Sequence, residues 1–320
     1  MTAERATPAT AKAGANAIAG EGAVTRRGVP SARAAWLLAA RPKTLPAAVA
    51  PVLVGTAVAI AEDGFVPLAA LAALAVALLL QIAANLANDV FDFRRGADTA
   101  ARLGPTRVTQ SGLIAPGLVL AATAVVLAAA ALCGLYLIGR GGWPIALLGL
   151  LALVSAVAYT GGPAPLGYLG LGDVFVFGFF GLVAVAGTAF VQTGRLSPLA
   201  LAAAVPVGCL ATAILVVNNL RDAITDRAAG KRTLAVRLGA ARTRWEFASL
   251  VGVAYVAMPV GWTAGTFSGW WWLPWLSAPL AVSLVARLWT THGAALNPLL
   301  GATARLELVF AVLLTGSIVL

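Results

Sequence analysis

Oxygen-bearing side chains recur in two stretches with one spacing. The first is Asn85-Leu86-Ala87-Asn88-Asp89-Val90-Phe91-Asp92, continuing through Gly96 to Thr99. The second is Asn219-Leu220-Arg221-Asp222-Ala223-Ile224-Thr225-Asp226, continuing through Gly230 to Thr233. Both read N-L-x-[ND]-x3-D-x3-G-x2-T. On a helix, Asn85, Asn88 and Asp92 stand at i, i+3 and i+7 and fall within an arc of roughly 60°. Asn219, Asp222 and Asp226 repeat that stripe. Asp89 is turned away by roughly 100° from Asn88. Asp98 follows Gly96, where the chain can bend a carboxylate back. Oxygen ligands without imidazole or thiolate suit a hard cation, and Mg2+ is commonly held by a few carboxylates together with substrate phosphates.

Basic residues are interleaved with these acids: Arg94, Arg95, Arg102, Arg107, Arg221, Arg227, Lys231 and Arg232. A bare metal has no use for so many cations nearby. A metal-bridged polyanion does, because the Arg fork matches phosphate oxygens and Lys adds a point charge. The lone His292 argues against zinc or haem. Cys133 and Cys209 stand in apolar runs and read as small buried hydrophobes.

The elements that must carry these stripes are membrane helices. The 320 residues are 60% hydrophobic and 11% charged, where a soluble domain is about 25% charged. Apolar runs of roughly 18 or more residues recur along the chain, and unbroken runs exclude the alternation of a barrel strand. The expected fold is all-α, a polytopic bundle of about nine transmembrane helices. They are predicted near 45–61, 66–90, 113–138, 143–160, 171–191, 198–219, 246–264, 270–289 and 303–320. The two motifs end the second and sixth, which predicts two four-helix repeats plus one helix. Residues 1–34, rich in Ala, Gly, Thr and Arg, read as a disordered basic tail, and 35–320 as the membrane domain.

With the N-terminus inside, all of the 22 Lys+Arg except Arg140 and Arg195 fall on inner segments. That bias places the N-terminus and both motifs on the cytoplasmic side of the cell membrane and makes nucleic acid an unneeded partner for the charge. Trp270, Trp271, Trp272 and Trp275 fall at the outer boundary, as an interfacial belt would. A diphosphate with its tail in the bilayer suits both the charge and the location.

Taken together, the motifs resemble the UbiA superfamily of intramembrane aromatic prenyltransferases. The chain is most similar to its 1,4-dihydroxy-2-naphthoate branch, which serves menaquinone synthesis. The resemblance covers about residues 36–320. It is carried by Arg41-Pro42-Lys43-Thr44-Leu45-Pro46, the Asn85–Asp98 stretch, Tyr159-Thr160-Gly161-Gly162-Pro163 with Pro165-Leu166-Gly167-Tyr168, Gly170-Leu171-Gly172-Asp173, and Asn218-Asn219-Leu220-Arg221-Asp222 through Thr233. The wider superfamily often has an acid where Gly96 stands. The naphthoate branch has it at the position of Asp98, either on the metal or holding a basic residue.

The resemblance implies a division of labour. Asn88, Asp92, Asp222 and Asp226 hold two Mg2+ bridging a polyprenyl diphosphate, with Asp98 in support. Lys43, Arg107, Lys231 and Arg232 are implied diphosphate contacts. Tyr159 is implied near the reacting carbon. Asp173 is implied at the acceptor, and Gln81 and Asn85, one to two turns deeper than the metals, are placed to hydrogen-bond it. Phe91, Phe93, Phe175, Phe177 and Phe179 are candidates for walls around an allyl cation. The implied reaction joins the prenyl group to dihydroxynaphthoate with loss of CO2 and diphosphate, giving demethylmenaquinone. Two other readings compete: the same chemistry on another acceptor, such as 4-hydroxybenzoate or homogentisate, and an ion transporter with paired acidic helices. Both motifs on one side of the membrane, away from its midplane, count against the transporter.

Overall fold

The computed structural model describes residues 30–98 and 102–320. Most of the predicted basic tail, up to residue 29, and Thr99 of the first motif lie outside the described residues. The elements are α1 (Ala32–Ala40), a 3-10 turn (Pro42–Thr44), α2 (Pro46–Ala61), α3 (Pro67–Arg94) and α4 (Pro116–Ala158). Then come α5 (Gly172–Val176), a π-helical segment (Phe177–Ala186), α6 (Gly187–Thr193), α7 (Pro198–Ala228), α8 (Leu234–Leu238), α9 (Ala240–Thr263), α10 (Ala278–Thr290) and α11 (Asn297–Val319). The described residues form no strand, as an all-helical bundle requires. Five runs are long and apolar enough to cross a membrane, and α1 with α2, bent by 50°, makes a sixth. This is an integral membrane protein built of helices.

Helix ends follow local chemistry. Proline at N1 opens α2, α3, α4 and α7, where its missing N–H costs nothing. Ser197 caps α7 by accepting from the Ala200 N–H at 3.1 Å. The apolar pattern places the ends of α3 and α7 at 90 and 219, whereas the helices run on to Arg94 and Ala228. The oxygen-bearing stripes, Asn85 to Asp92 and Asn219 to Asp226, are therefore helical throughout. Hydropathy fades where a helix leaves hydrocarbon, yet its backbone hydrogen bonds continue. Beyond α3 the chain turns at Gly96, with φ +68, and the Ala97 N–H bonds to the Asp92 carbonyl at 2.9 Å. This glycine closes the helix and sends Asp98 back toward it. An unforeseen element is α1, which begins at Ala32 inside the stretch read as tail and is capped by Ser31.

The helices predicted at 113–138 and 143–160 share one 43-residue element, α4. A straight helix of that length would span about 64 Å, twice the hydrocarbon thickness. Gly142 breaks it, with φ 68 and ψ −156, and Pro144 follows. Just before α4, the Val108 and Thr109 N–H groups bond to Asp89. Just after it, Thr160 bonds to Asn88. Both ends of α4 thus meet the same turn of α3, so the element doubles back at Gly142.

The buried helix at the centre is α7, packed against the π segment, α9, α11 and α2. The π segment crosses it at two glycines. A Cβ on Gly181 would lie 2.7 Å from the Gly208 Cα and 2.9 Å from the Ala204 carbonyl oxygen. Small residues permit this close backbone approach, the usual way membrane helices gain contact without a hydrophobic driving force. The ends opposite the motifs meet through Arg195 with Glu62, and through Arg140 with the Val191 and Gln192 carbonyls.

Candidate active site

The C-terminal turns of α3 and α7 converge on one cavity of about 790 Å³. Asn88, Asp92, Asn219, Asp222 and Asp226 all line it. Two motifs 134 positions apart therefore build one site. The polar end also carries Arg41, Lys43, Arg102, Arg107, Arg221 and Lys231, twice as many cations as carboxylates. The far end is apolar, lined by Leu135, Ile138 and Ile145 of α4 and by Phe179, Phe180 and Val183 of the π segment.

Each carboxylate has a defined set of partners. Asp92 is buried, and its Oδ1 accepts from the Tyr168 hydroxyl at 3.0 Å. Its Oδ2 faces Arg107 at 3.2 Å and Lys231 at 3.4 Å. Lys231 Nζ also lies 3.8 Å from Asp226, so one ammonium bridges the two motifs. Asp222 is gripped by its neighbour Arg221, with Nε to Oδ1 at 2.8 Å and Nη2 to Oδ2 at 2.5 Å. Arg221 is itself held by Asn218 and Asn297, each at 2.8 Å. Asn88 accepts from Thr160 at 2.9 Å. Asp89 points away from the cavity and caps the 108–109 backbone at 3.0 and 2.9 Å, as its position on the helix predicts.

The other sequence-predicted residues separate into two groups. Gln81, Asn85, Tyr159, Lys43, Arg107 and Lys231 line the cavity. Gln81 and Asn85 donate to Thr44 at 3.1 and 3.0 Å, and Asn85 also to the Ala40 carbonyl at 3.0 Å. They thereby tie α3 to the corner between α1 and α2. Asp98, Asp173 and Arg232 lie outside the cavity wall. Asp98 is buried and pairs with Arg102 and with Arg107 Nε at 3.1 Å, so it holds the guanidinium that reaches Asp92. Asp173 is buried with neither oxygen hydrogen-bonded among the described residues, next to Gly172. A Cβ on Gly172 would stand 2.6 Å from the Tyr159 hydroxyl. Arg232 is exposed on the turn after α7. Of the aromatic candidates, Phe175 and Phe179 line the cavity and stack at 6.1 Å. Phe93 is exposed, Phe91 packs with the α1–α3 cluster, and Phe177 abuts Gly208.

Sequence reasoning passed over Arg41, Thr160, Tyr168 and Phe180. Arg41 adopts φ 53 at the bend between α1 and the 3-10 turn and lines the cavity. Tyr168 has Arg95 and Lys231 over its ring at 5.2 and 5.0 Å. All but Phe180 belong to stretches already singled out, but they stand at bends and in loops, where no periodicity marks a direction. Burial, then the charges of Asp173, Asp92 and Asp226, raises the Tyr159 pKa; burial, then Asp92, raises that of Tyr168. Both phenols therefore keep their protons at neutral pH.

The donor set suits Mg2+ bound together with a polyanion. The ligands are all oxygen. No three His, Cys, Asp or Glu residues gather into a closed metal cage among the described residues, and Mg2+ sites completed by substrate phosphates need none. Arg41 Nη2 and Arg107 Nη1 are buried without a hydrogen-bond partner among the described residues, leaving N–H groups for an anion.

Comparison with known proteins bears on the same region. Residues 48–298 match the UbiA prenyltransferase family. The chain is similar to 1,4-dihydroxy-2-naphthoate octaprenyltransferase of Mycobacterium tuberculosis, at 43% identity over 89% of this chain and 97% of the relative. The protein of that description from Escherichia coli is 42% identical over 78% of this chain and 82% of its own. Among solved structures, a UbiA homologue from Archaeoglobus fulgidus bound to DMAPP and Mg2+ shares the fold, with a TM-score of 0.59 at 13% identity over 88% of this chain and 99% of its own.

Proposed function

The chain belongs to the UbiA prenyltransferase family, and on that premise we propose that it transfers a polyprenyl group from polyprenyl diphosphate to 1,4-dihydroxy-2-naphthoate in a Mg2+-dependent reaction. The observation that carries this reading is the amphiphilic cavity. Its polar end has two sets of oxygen ligands and an excess of cations, and its other end is apolar. A diphosphate on an isoprenoid tail has that same division. The naphthoate acceptor comes from the relatives, whose names specify it.

Asn88, Asp92, Asp222 and Asp226 would hold two Mg2+. When bound, Mg2+ neutralises charge growing on the departing diphosphate. Asp98 acts by fixing Arg107. Arg107, Lys231, Lys43 and Arg41 supply N–H groups to the diphosphate oxygens, where preorganised donors act most strongly. The allylic C–O bond breaks and its electron pair leaves with the diphosphate. Phe175, Phe179, Phe180 and Tyr159 exclude water and offer ring faces to the allyl cation. The ring carbon bearing the carboxylate attacks and forms the new C–C bond. The bond to the carboxyl carbon then breaks, CO2 leaves, and its electrons restore the aromatic ring. The product is the hydroquinone form of demethylmenaquinone. Gln81 and Asn85 face the acceptor from α3. Asp173 bears on the site only by its charge, which helps to keep the Tyr159 phenol protonated.

Nine membrane crossings are supported by the doubling of α4 at Gly142, and by Arg244 of α9 bonding to the Leu288 carbonyl of α10 at 2.9 Å. The two motif-bearing halves form two four-helix repeats, with α11 appended. The cell inner membrane is the location, with the N-terminus and the cavity's polar end cytoplasmic, because the basic residues gather at that end. Exposed Leu71, Leu132 and Leu150 give the bundle its lipid contact. The test is prenyl transfer by the purified protein with both substrates and Mg2+. Asp92→Ala and Asp222→Ala are expected to lower turnover at least about a hundredfold, and EDTA to stop it. Activity that survives either treatment overturns the metal assignment.

A further inference from the structure

Outside the cavity, on the turn between α7 and α8, lies a second and smaller concavity of about 370 Å³. Arg227, Gly230, Lys231, Arg232, Val236 and Arg237 line it, four cations and no acid. Two of these cations are fixed by carbonyls rather than by carboxylates. Arg227 Nη2 donates to the Val236 carbonyl at 3.1 Å. Arg237 donates to the Arg232 carbonyl at 3.2 Å and the Leu169 carbonyl at 2.8 Å. A carbonyl orients a guanidinium without cancelling its charge. The Arg232 side chain is exposed and makes no hydrogen bond among the described residues. A basic loop that serves only to set membrane orientation needs the charges but not their convergence or their anchoring.

Lys231 joins this basin to the cavity. It lines both, and its ammonium reaches Asp92 and Asp226 across the face of Tyr168. A long, flexible side chain shared by two anion-binding spaces can follow a phosphate group from one to the other.

We propose that the basin formed by Arg227, Lys231, Arg232 and Arg237 is a second polyanion site that receives free diphosphate beside the catalytic cavity. This rests on the cavity being the place where diphosphate is released. Diphosphate fits because its phosphoryl groups present clustered oxygens to several guanidinium forks at once. An anionic lipid headgroup shares the phosphate chemistry, and the experiment separates the two.

The experiment is calorimetric titration of inorganic diphosphate, with Mg2+, into the full chain in neutral phosphatidylcholine nanodiscs. Wild type is expected to bind two diphosphates per chain. Arg232→Gln combined with Arg227→Gln is expected to lose one event, and Arg232→Lys alone to retain it. Arg237 is left intact because it ties the loop, and an unchanged melting temperature checks that the double variant is folded. Asp92→Asn is expected to remove the other event. Unchanged stoichiometry in the folded double variant overturns the basin. An unchanged Asp92→Asn titration would overturn the catalytic reading instead, so the two failures are distinguishable. Repeating the titration in discs containing phosphatidylglycerol supplies the lipid arm. If the basin event disappears there, lipid headgroups hold the basin and its assignment to diphosphate is overturned.

Discussion

Replacing Tyr168 with Phe removes one oxygen and leaves the ring. The lost hydroxyl donates to Asp92 Oδ1 at 3.0 Å, and Asp92 is buried. The contacts of Arg95 and Lys231 with the ring face remain. A hydrogen bond to a charged group contributes about 1.5–3 kcal/mol, and each 1.36 kcal/mol is about tenfold, so the geometry predicts a loss of about 10- to 150-fold. Groups that orient a metal-binding carboxylate typically cost about 10- to 100-fold in metal affinity or activity when removed, which is the same range. The loss should appear as a raised Mg2+ requirement, because Tyr168 touches Asp92 and not the apolar end of the cavity. The assay is prenyl transfer with Mg2+ titrated at saturating substrates. Tyr168→Leu, which also removes the ring, should lose about a further two- to fivefold through each exposed cation–π contact of about 0.5–1 kcal/mol. A Tyr168→Phe protein with wild-type Mg2+ dependence and turnover would refute the claim that Tyr168 positions Asp92.

Thr160→Val removes the 2.9 Å donor to Asn88 while keeping the side-chain shape. A neutral hydrogen bond of about 0.5–1.5 kcal/mol predicts a two- to tenfold drop in kcat, measured in the same assay, with the KM for the acceptor unchanged. Gly181→Ala places a methyl 2.7 Å from the Gly208 Cα, backbone that cannot swing aside. Overpacking of about 1–3 kcal/mol should lower the thermal midpoint in detergent, read by loss of the monodisperse chromatographic peak. An unchanged midpoint would mean that the α7 crossing relaxes freely.

Much of the site was legible because it repeats. The i, i+3, i+7 spacing put Asn88 with Asp92 and Asp222 with Asp226, and both stripes face one cavity. Asp89 was readable for the same reason, since its angle on the helix turned it away from the stripe. The ion pairs were not legible. That Asp98 pairs with Arg102 and Arg107 depends on the turn at Gly96 and the path back to Arg107, which no local spacing reveals. Tyr168 and Arg41 stand where the chain bends, so no period gave their direction. The π segment, Phe-Gly-Phe-Phe-Gly-Leu-Val-Ala-Val-Ala, is apolar on every side. With no polar face to register against, its extra residue per turn and the cavity position of Phe180 could not be read. The break at Gly142 was visible only as a gap between two apolar runs, and it is what returns Tyr159 and Thr160 to the acidic turns.

Decarboxylating prenyl transfer is measured most directly by following the acceptor's carboxyl carbon. Purified protein is supplied with carboxyl-labelled dihydroxynaphthoate, a polyprenyl diphosphate and Mg2+, and labelled CO2, diphosphate and prenylated product are counted together. The proposed reaction releases one CO2 and one diphosphate for each prenylated ring, and none of the three forms in EDTA. A prenylated product that retains the label, or transfer that proceeds without a divalent cation, would contradict it.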